Sequence, residues 1–231
     1  MTVFAINLGI LGIIAFCGWR GYRNGLIRGV FGVVALIVSI FVANIAAAAY
    51  SEEFTDMLTP FVGGIVDSTI TEMDENGVEY DPDEHEHENK TEEFGTAYTV
   101  LRRIGLPESS AVRIAELSLE DEIEGLFTSL IADKLSTVLA YVAVFAVAFI
   151  LIAIVFAVIG NLIGFVFSLP GLKLLDSIAG VVFGLAKGLI IVFTLTTIVK
   201  YFGLVAPDTV EGASVLNYFI NHNPVANMLG L

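Results

Sequence analysis

The densest group of residues able to do chemistry is the run TEMDENGVEYDPDEHEHENKTEE at 71–93. Glu72, Asp74, Asn76 and Gly77 stand at the first, third, fifth and sixth positions of a calcium loop, where oxygens converge on a hard cation and glycine permits the sharp turn. Val78 offers a carbonyl, but Glu79 replaces the usual apolar residue and Asp83 the closing glutamate. His85 and His87, in DEHEHE, are nitrogen donors of the kind zinc and copper accept, with only carboxylates nearby. A stretch this charged and this poor in apolar residues cannot bury enough surface to offset its chain entropy. The expectation is a solvated, disordered run with no resident metal or other cofactor.

The residue sets of catalysis do not occur elsewhere: there is no Ser/His/Asp or Cys/His set, no glycine-rich phosphate loop and no H-E-x-x-H, and His222 stands alone near the C-terminus. The reading is therefore not an enzyme. Cys17 is the only cysteine and lies in an apolar run, which reads as packing. Polar residues that interrupt or border apolar sequence are the remaining candidates: Arg28, Asn161, Asp176 and Lys187. Eleven residues, about three helical turns, put Asp176 and Lys187 on roughly one face, so these groups could line a polar path. Alternatively, Lys187 and Lys200, ~20 Å apart along a helix, could each extend an amine to the nearer headgroup layer and bracket a span.

Those residues are held by elements whose nature follows from composition. Of 231 residues 56% are hydrophobic and 16% charged, the balance of a membrane protein. Apolar runs at 3–19, 26–50, 135–168 and 178–203 are each long enough to cross the hydrocarbon core as a helix. The third, uncharged from Leu135 through Leu172, is long enough to require tilting, or bending near Gly160-Asn161. Cations follow the first run instead of preceding it, and no small-residue cleavage site comes directly after it, so it reads as a retained span and not as a signal peptide.

Charge orients the spans. The link after the first run carries Arg20, Arg23 and Arg28 and no acid, which places it in the cytoplasm. Residues 51–134, with 22 of the 25 acids and five of the 11 cations, then fall outside, as does the tail from 204, while Pro170-Gly171 and Lys173 fall inside. The net charge of −14 and the lack of a basic stripe exclude nucleic acid as a partner. Within the exterior insert, Phe54, Met57, Leu58 and Phe61 before the acidic run, and Leu119 to Ile131 after it, have helical spacing; Pro60 interrupts the first, and Pro107 suits a helix start at Glu108. These helices either lie on the outer membrane surface or pack into a small exterior cap, and their acidic faces, unlike the basic ones that bind headgroups, favour the cap.

GYRNGLIRG and GVVFGLAKG, at 21–29 and 180–188, share one further pattern: Gly21, Gly25, Gly29 and Gly180, Gly184, Gly188 recur every fourth residue, with Arg28 and Lys187 in register. In lipid, where apolar surface alone does not drive association, stripes without side chains let helix backbones approach closely. The six glycines are read as helix-packing positions through which the protein associates with partners, and the two segments as an internal duplication, with both halves running out–in–out about an axis along the membrane normal; two-fold pseudo-symmetry within the chain and a symmetric dimer fit equally well.

LDSIAGVVFGLAKG, Leu175 to Gly188, together with the Gly- and Arg-rich Gly21 to Gly32, resembles the colicin V production (CvpA) family of small bacterial inner-membrane proteins. The resemblance implies a multi-pass inner-membrane protein accessory to toxin (colicin V) production or export and to envelope homeostasis, and it supplies no catalytic residues. The expectation is thus an all-α, polytopic protein: a transmembrane hairpin at 1–50, an acidic, partly helical exterior insert at 51–134 with disorder at about 71–93, a second hairpin at 135–203 and an exterior tail at 204–231. Its expected partners are the lipid bilayer and either a second copy of the chain or another membrane protein. The alternative is a small channel or transporter with a path near Asp176, Lys187 and Asn161.

Overall fold

The computed structural model describes residues 2–76, 92–120, 127–166 and 173–230. The run bearing His85 and His87, and the Pro170-Gly171 turn, lie outside the described residues, and Glu72 to Asn76 form the end of a helix. The described residues form eight helices: α1 (Thr2–Asn76), α2 (Glu92–Ile104), α3 (Glu108–Glu120), α4 (Phe127–Val166), α5 (Lys173–Tyr201), α6 (Pro207–Gly212), α7 (Ser214–Asn221) and α8 (Pro224–Leu229). Among the described residues the fold is all-helical, and α1, α4 and α5 are long and apolar enough to cross a membrane.

The four apolar runs thus lie on three helices, because the first two share α1. Their link is a single residue. Gly25, at φ 76° and ψ 179°, is the one non-helical position inside α1, in a region of backbone space that only glycine occupies at low cost. The contacts on either side show that the chain reverses there. Going back from Gly25, Gly21 meets Gly180 and Gly184, Gly18 meets Leu185, and Gly188 meets Ile14 and Cys17; going forward, Gly29 meets Phe183 and Gly32 meets Lys187. Both limbs therefore climb α5 from the same end, the first limb (2–24) antiparallel to it and the second (26–76) parallel.

Helix α4 runs antiparallel to the second limb. Phe31 packs edge-on against Phe156 at 6.4 Å between ring centroids, Leu36 and Ile40 share a core with Phe145 and Phe149, and the Tyr141 hydroxyl donates to Asn44 Oδ1. The helix passes Gly160-Asn161 and continues to Val166 as one element. Gly160 is where the Phe31 ring crosses it, since a Cβ there would come within 2.9 Å of that ring.

At the end remote from Gly25 the helices gather a second core. Helices α2 and α3 bury Phe94, Tyr98, Leu101 and Ile114 against Val62 and Val66 of α1, Ile131 and Leu135 of α4, and Tyr201 of α5. This forms the cap. Helix α1 continues through Pro60. The residues that suggested an amphipathic helix there divide between its faces: Leu58 points to the cap core, while Phe54, Met57 and Phe61 face outward.

Candidate functional site: the Gly25–Asp176 junction

Helix termini leave backbone N–H groups without intrahelical partners. When α1 restarts after Gly25, the freed N–H of Leu26 is taken up by a side chain from 150 residues further along: it donates to Asp176 Oδ1 at 2.8 Å. Asp176 lies in the first turn of α5, so its carboxylate sits at the N-termini of two helices at once, both of which present positive partial charge. Glycine is required at position 25 for a second reason. A Cβ there would overlap Asp176 Oδ2 and stand 2.8 Å from its Cγ. The positive φ and the approaching carboxylate select the same residue.

Above this point the backbones of α1 and α5 run against each other. A Cβ at Gly21 would collide with the Gly180 carbonyl oxygen and lie 2.9 Å from Gly184 Cα. One at Gly180 would collide with the Gly21 carbonyl and lie 3.0 Å from Gly25 Cα, and one at Gly184 would collide with the Cys17 carbonyl. Side chains are excluded where helices cross this closely, and dispersion between backbones replaces them. A Cβ at Gly188 would lie 3.0 Å from Ile14 Cα, and one at Gly29 would lie 2.9 Å from Phe183 Cβ. The structure thus brings all six glycines to one interface within the chain. The two triplets are used differently, however. Gly180, Gly184 and Gly188 form one stripe on α5, whereas Gly21, Gly25 and Gly29 fall on the first limb, the turn and the second limb.

The polar candidates do not converge. Lys187 is half-buried alongside Gly32, its Nζ 3.6 Å from where a Cβ at that glycine would be. Asn161 is exposed on α4, and Arg28 is partly exposed one turn into the second limb. Lys200, only 7% exposed, does not extend outward: it lies under the cap with its amine 5.0 Å from the Tyr201 ring centroid. On the other flank of the turn, the Arg23 guanidinium stacks over Trp19 at 5.4 Å.

Sequence reading passed over a buried side chain with several hydrogen bonds. Asn223, 2% exposed, accepts from the N–H groups of Val225 and Ala226 at 3.0 and 3.3 Å and donates to the Phe193 carbonyl at 2.8 Å and to the Thr196 and Thr197 hydroxyls at 3.1 and 3.0 Å. It caps α8 and ties it to α5. The available signal was Asn223-Pro224, an N-cap residue followed by the proline favoured at the first helical position.

Three helices long and apolar enough to cross a membrane, α5 closed on α1 by glycine contacts and α4 by an apolar core, make this a membrane protein. Its sequence matches the family described as colicin V production protein over residues 6–73 and 113–224. The chain belongs to that family. The matched residues include the Gly25–Asp176 junction and Asn223, and the unmatched stretch 74–112 contains most of the acidic run and all of α2. No curated protein and no solved structure matches the chain.

Proposed function

We propose that this protein is a non-enzymatic, multi-pass protein of the bacterial inner membrane, accessory to colicin V production or export and to envelope homeostasis. Family membership supports the association with toxin production. The observation that carries the accessory role is the closure of the junction. The six glycines and the Asp176 carboxylate are engaged inside the chain, so partners, whether a second copy or another membrane protein, are met by other surfaces. The outward residues of the spans, such as Phe41, Ile45, Leu151 and Val155, are available to lipid and to partner helices.

In this reading the chain crosses four times, counting the two limbs of α1 separately, with Arg20, Arg23 and Arg28 at the cytoplasmic face and the cap outside. A path along Asp176, Lys187 and Asn161 has less support, because Asp176 is bonded to Leu26 N–H and Asn161 stands on the exposed side of α4. The test pairs two measurements. Deleting the gene should reduce colicin V release, with restoration by the wild-type chain. Purified protein in liposomes should carry ions and small solutes no faster than empty liposomes. Flux above that background, abolished by Lys187→Met, would replace the accessory reading with transport.

A further inference from the structure

The C-terminal segment does not rest on top of the cap. Helix α7 packs Leu216, Phe219 and Ile220 into a core with Ile10 of the first limb and Val192 of α5, and the Phe193 and Phe219 rings meet at 4.9 Å. Helix α8 packs Val225 and Leu229 into the core formed by Leu36, Ile40, Phe145 and Phe149. The chain then returns toward the cap, where the Gly230 carbonyl lies 3.5 Å from an Arg113 guanidinium nitrogen. Asn223 is the apex of this excursion. Its α5 partners Phe193, Thr196 and Thr197 stand eight to four residues before Tyr201, about 6–12 Å down α5 from the cap at ~1.5 Å per residue. If the hydrocarbon core is taken to begin at Arg20 and Arg28 and to be about 30 Å thick, it extends to the level of Lys200, and the apex lies inside it.

Non-helical backbone is tolerated at that depth only where it is buried in protein or borders water. The inner side of the apex meets the first condition through Asn223. The outer side presents polar groups: Asn221 and His222 are exposed there, and Asn217 is partly so. Polar side chains at membrane depth face the protein interior or water, not lipid. Asn217 and Asn221 also line a cavity of about 450 Å³ that reaches Arg102, Glu108 and Ser109 in the cap. The Ser109 hydroxyl is buried with no protein partner, as expected of a group that bonds to water.

We infer that Pro207–Leu229 is a re-entrant element, seated between the two limbs of α1, whose outer face bounds a water-filled vestibule cut into the cap-side half of the membrane and continuous with the cavity under the cap. The inner face seals the vestibule from the rest of the bundle, and Asn223 is its fastening. This holds whichever way the chain faces and does not rest on the proposed function.

Cysteine accessibility tests it. In a Cys17→Ala background, single cysteines replace Asn221, His222, Phe219 and Val225 in sealed vesicles, and a small membrane-impermeant thiol reagent is added on the cap side. Asn221→Cys and His222→Cys are expected to react, while Phe219→Cys and Val225→Cys react at least tenfold more slowly. Adding Asn223→Ala should bring Val225→Cys to within a fewfold of Asn221→Cys. Equal reaction of Val225→Cys and Asn221→Cys with Asn223 intact would show a segment lying free in water, and overturn the seating. Protection of both Asn221→Cys and His222→Cys, with a bimane at either position quenched by brominated lipid, would show a lipid-facing surface and overturn the vestibule. The two exposed positions keep the test readable if a cysteine at Phe219 prevents folding.

Discussion

Replacing Gly25 with alanine should uncouple the first two spans from α5, and the cost can be built from its parts. Alanine at φ 76° and ψ 179° carries backbone strain of about 2 kcal/mol. Its Cβ would also stand 2.8 Å from Asp176 Cγ and overlap Oδ2, so the carboxylate must leave and the Leu26 N–H loses a charge-assisted bond, worth about 2 kcal/mol. Gly25→Ala should therefore destabilise by about 4 kcal/mol, and Asp176→Ala by about 2 kcal/mol for the lost cap. In the double variant the methyl group has no carboxylate to displace, and the cap is lost only once. It should cost about 4 kcal/mol, some 2 kcal/mol less than the sum of the single variants. The assay is reversible unfolding in detergent micelles, followed by circular dichroism for all four proteins under one condition. Costs that add to within about 0.5 kcal/mol would refute the idea that glycine is needed at position 25 partly to admit the carboxylate.

Higher on the same interface, Gly184→Leu should sharply lower membrane abundance, because its side chain would enter the Cys17 carbonyl, while Val182→Leu, on the exposed face, should leave it unchanged; immunoblotting of membranes compares the two. For orientation, a cysteine replacing His85 should react with an impermeant reagent in intact cells and one replacing Lys173 only after permeabilisation; the reverse pattern would invert the topology. Lys187→Arg and Lys187→Met should both preserve membrane abundance and colicin V release, as expected of a lysine that only anchors its helix. Normal abundance with lost release in Lys187→Met alone would assign the amine a function.

The parts of this fold legible in the sequence are those written in long runs. A span needs some 20 apolar residues, so chance composition rarely imitates one, and the described residues of the four runs fall almost entirely in α1, α4 and α5. The start of α3 at Glu108 was legible for a local reason, the preceding proline. The reversal was not legible at its own position. Gly21, Gly25 and Gly29 are equivalent in spacing, and what distinguishes Gly25 is Asp176, 150 residues away. Periodicity likewise says little about α6, α7 and α8, which have six, eight and six residues, about two turns each at most. Their placement depends on Asn223, whose partners Phe193, Thr196 and Thr197 are ordinary apolar and hydroxyl residues in a helix chosen by hydropathy.

The junction has a consequence in time. A bond that joins Leu26 to Asp176 spans 150 positions, and at roughly 5–20 residues per second the ribosome needs about 8–30 seconds to travel between them. Throughout that interval both limbs of α1 have been made, but the carboxylate that closes their turn has not. The Leu26 N–H must be served by water or a lipid headgroup, and the bare backbone of Gly18 to Gly29 is open to any other glycine-faced helix being inserted nearby. The first turn to be synthesised is then among the last contacts to be completed. Chains arrested before Asp176 should leave the native Cys17, which faces Gly184 and Gly188 of α5, more reactive than it is in chains extended past Gly188.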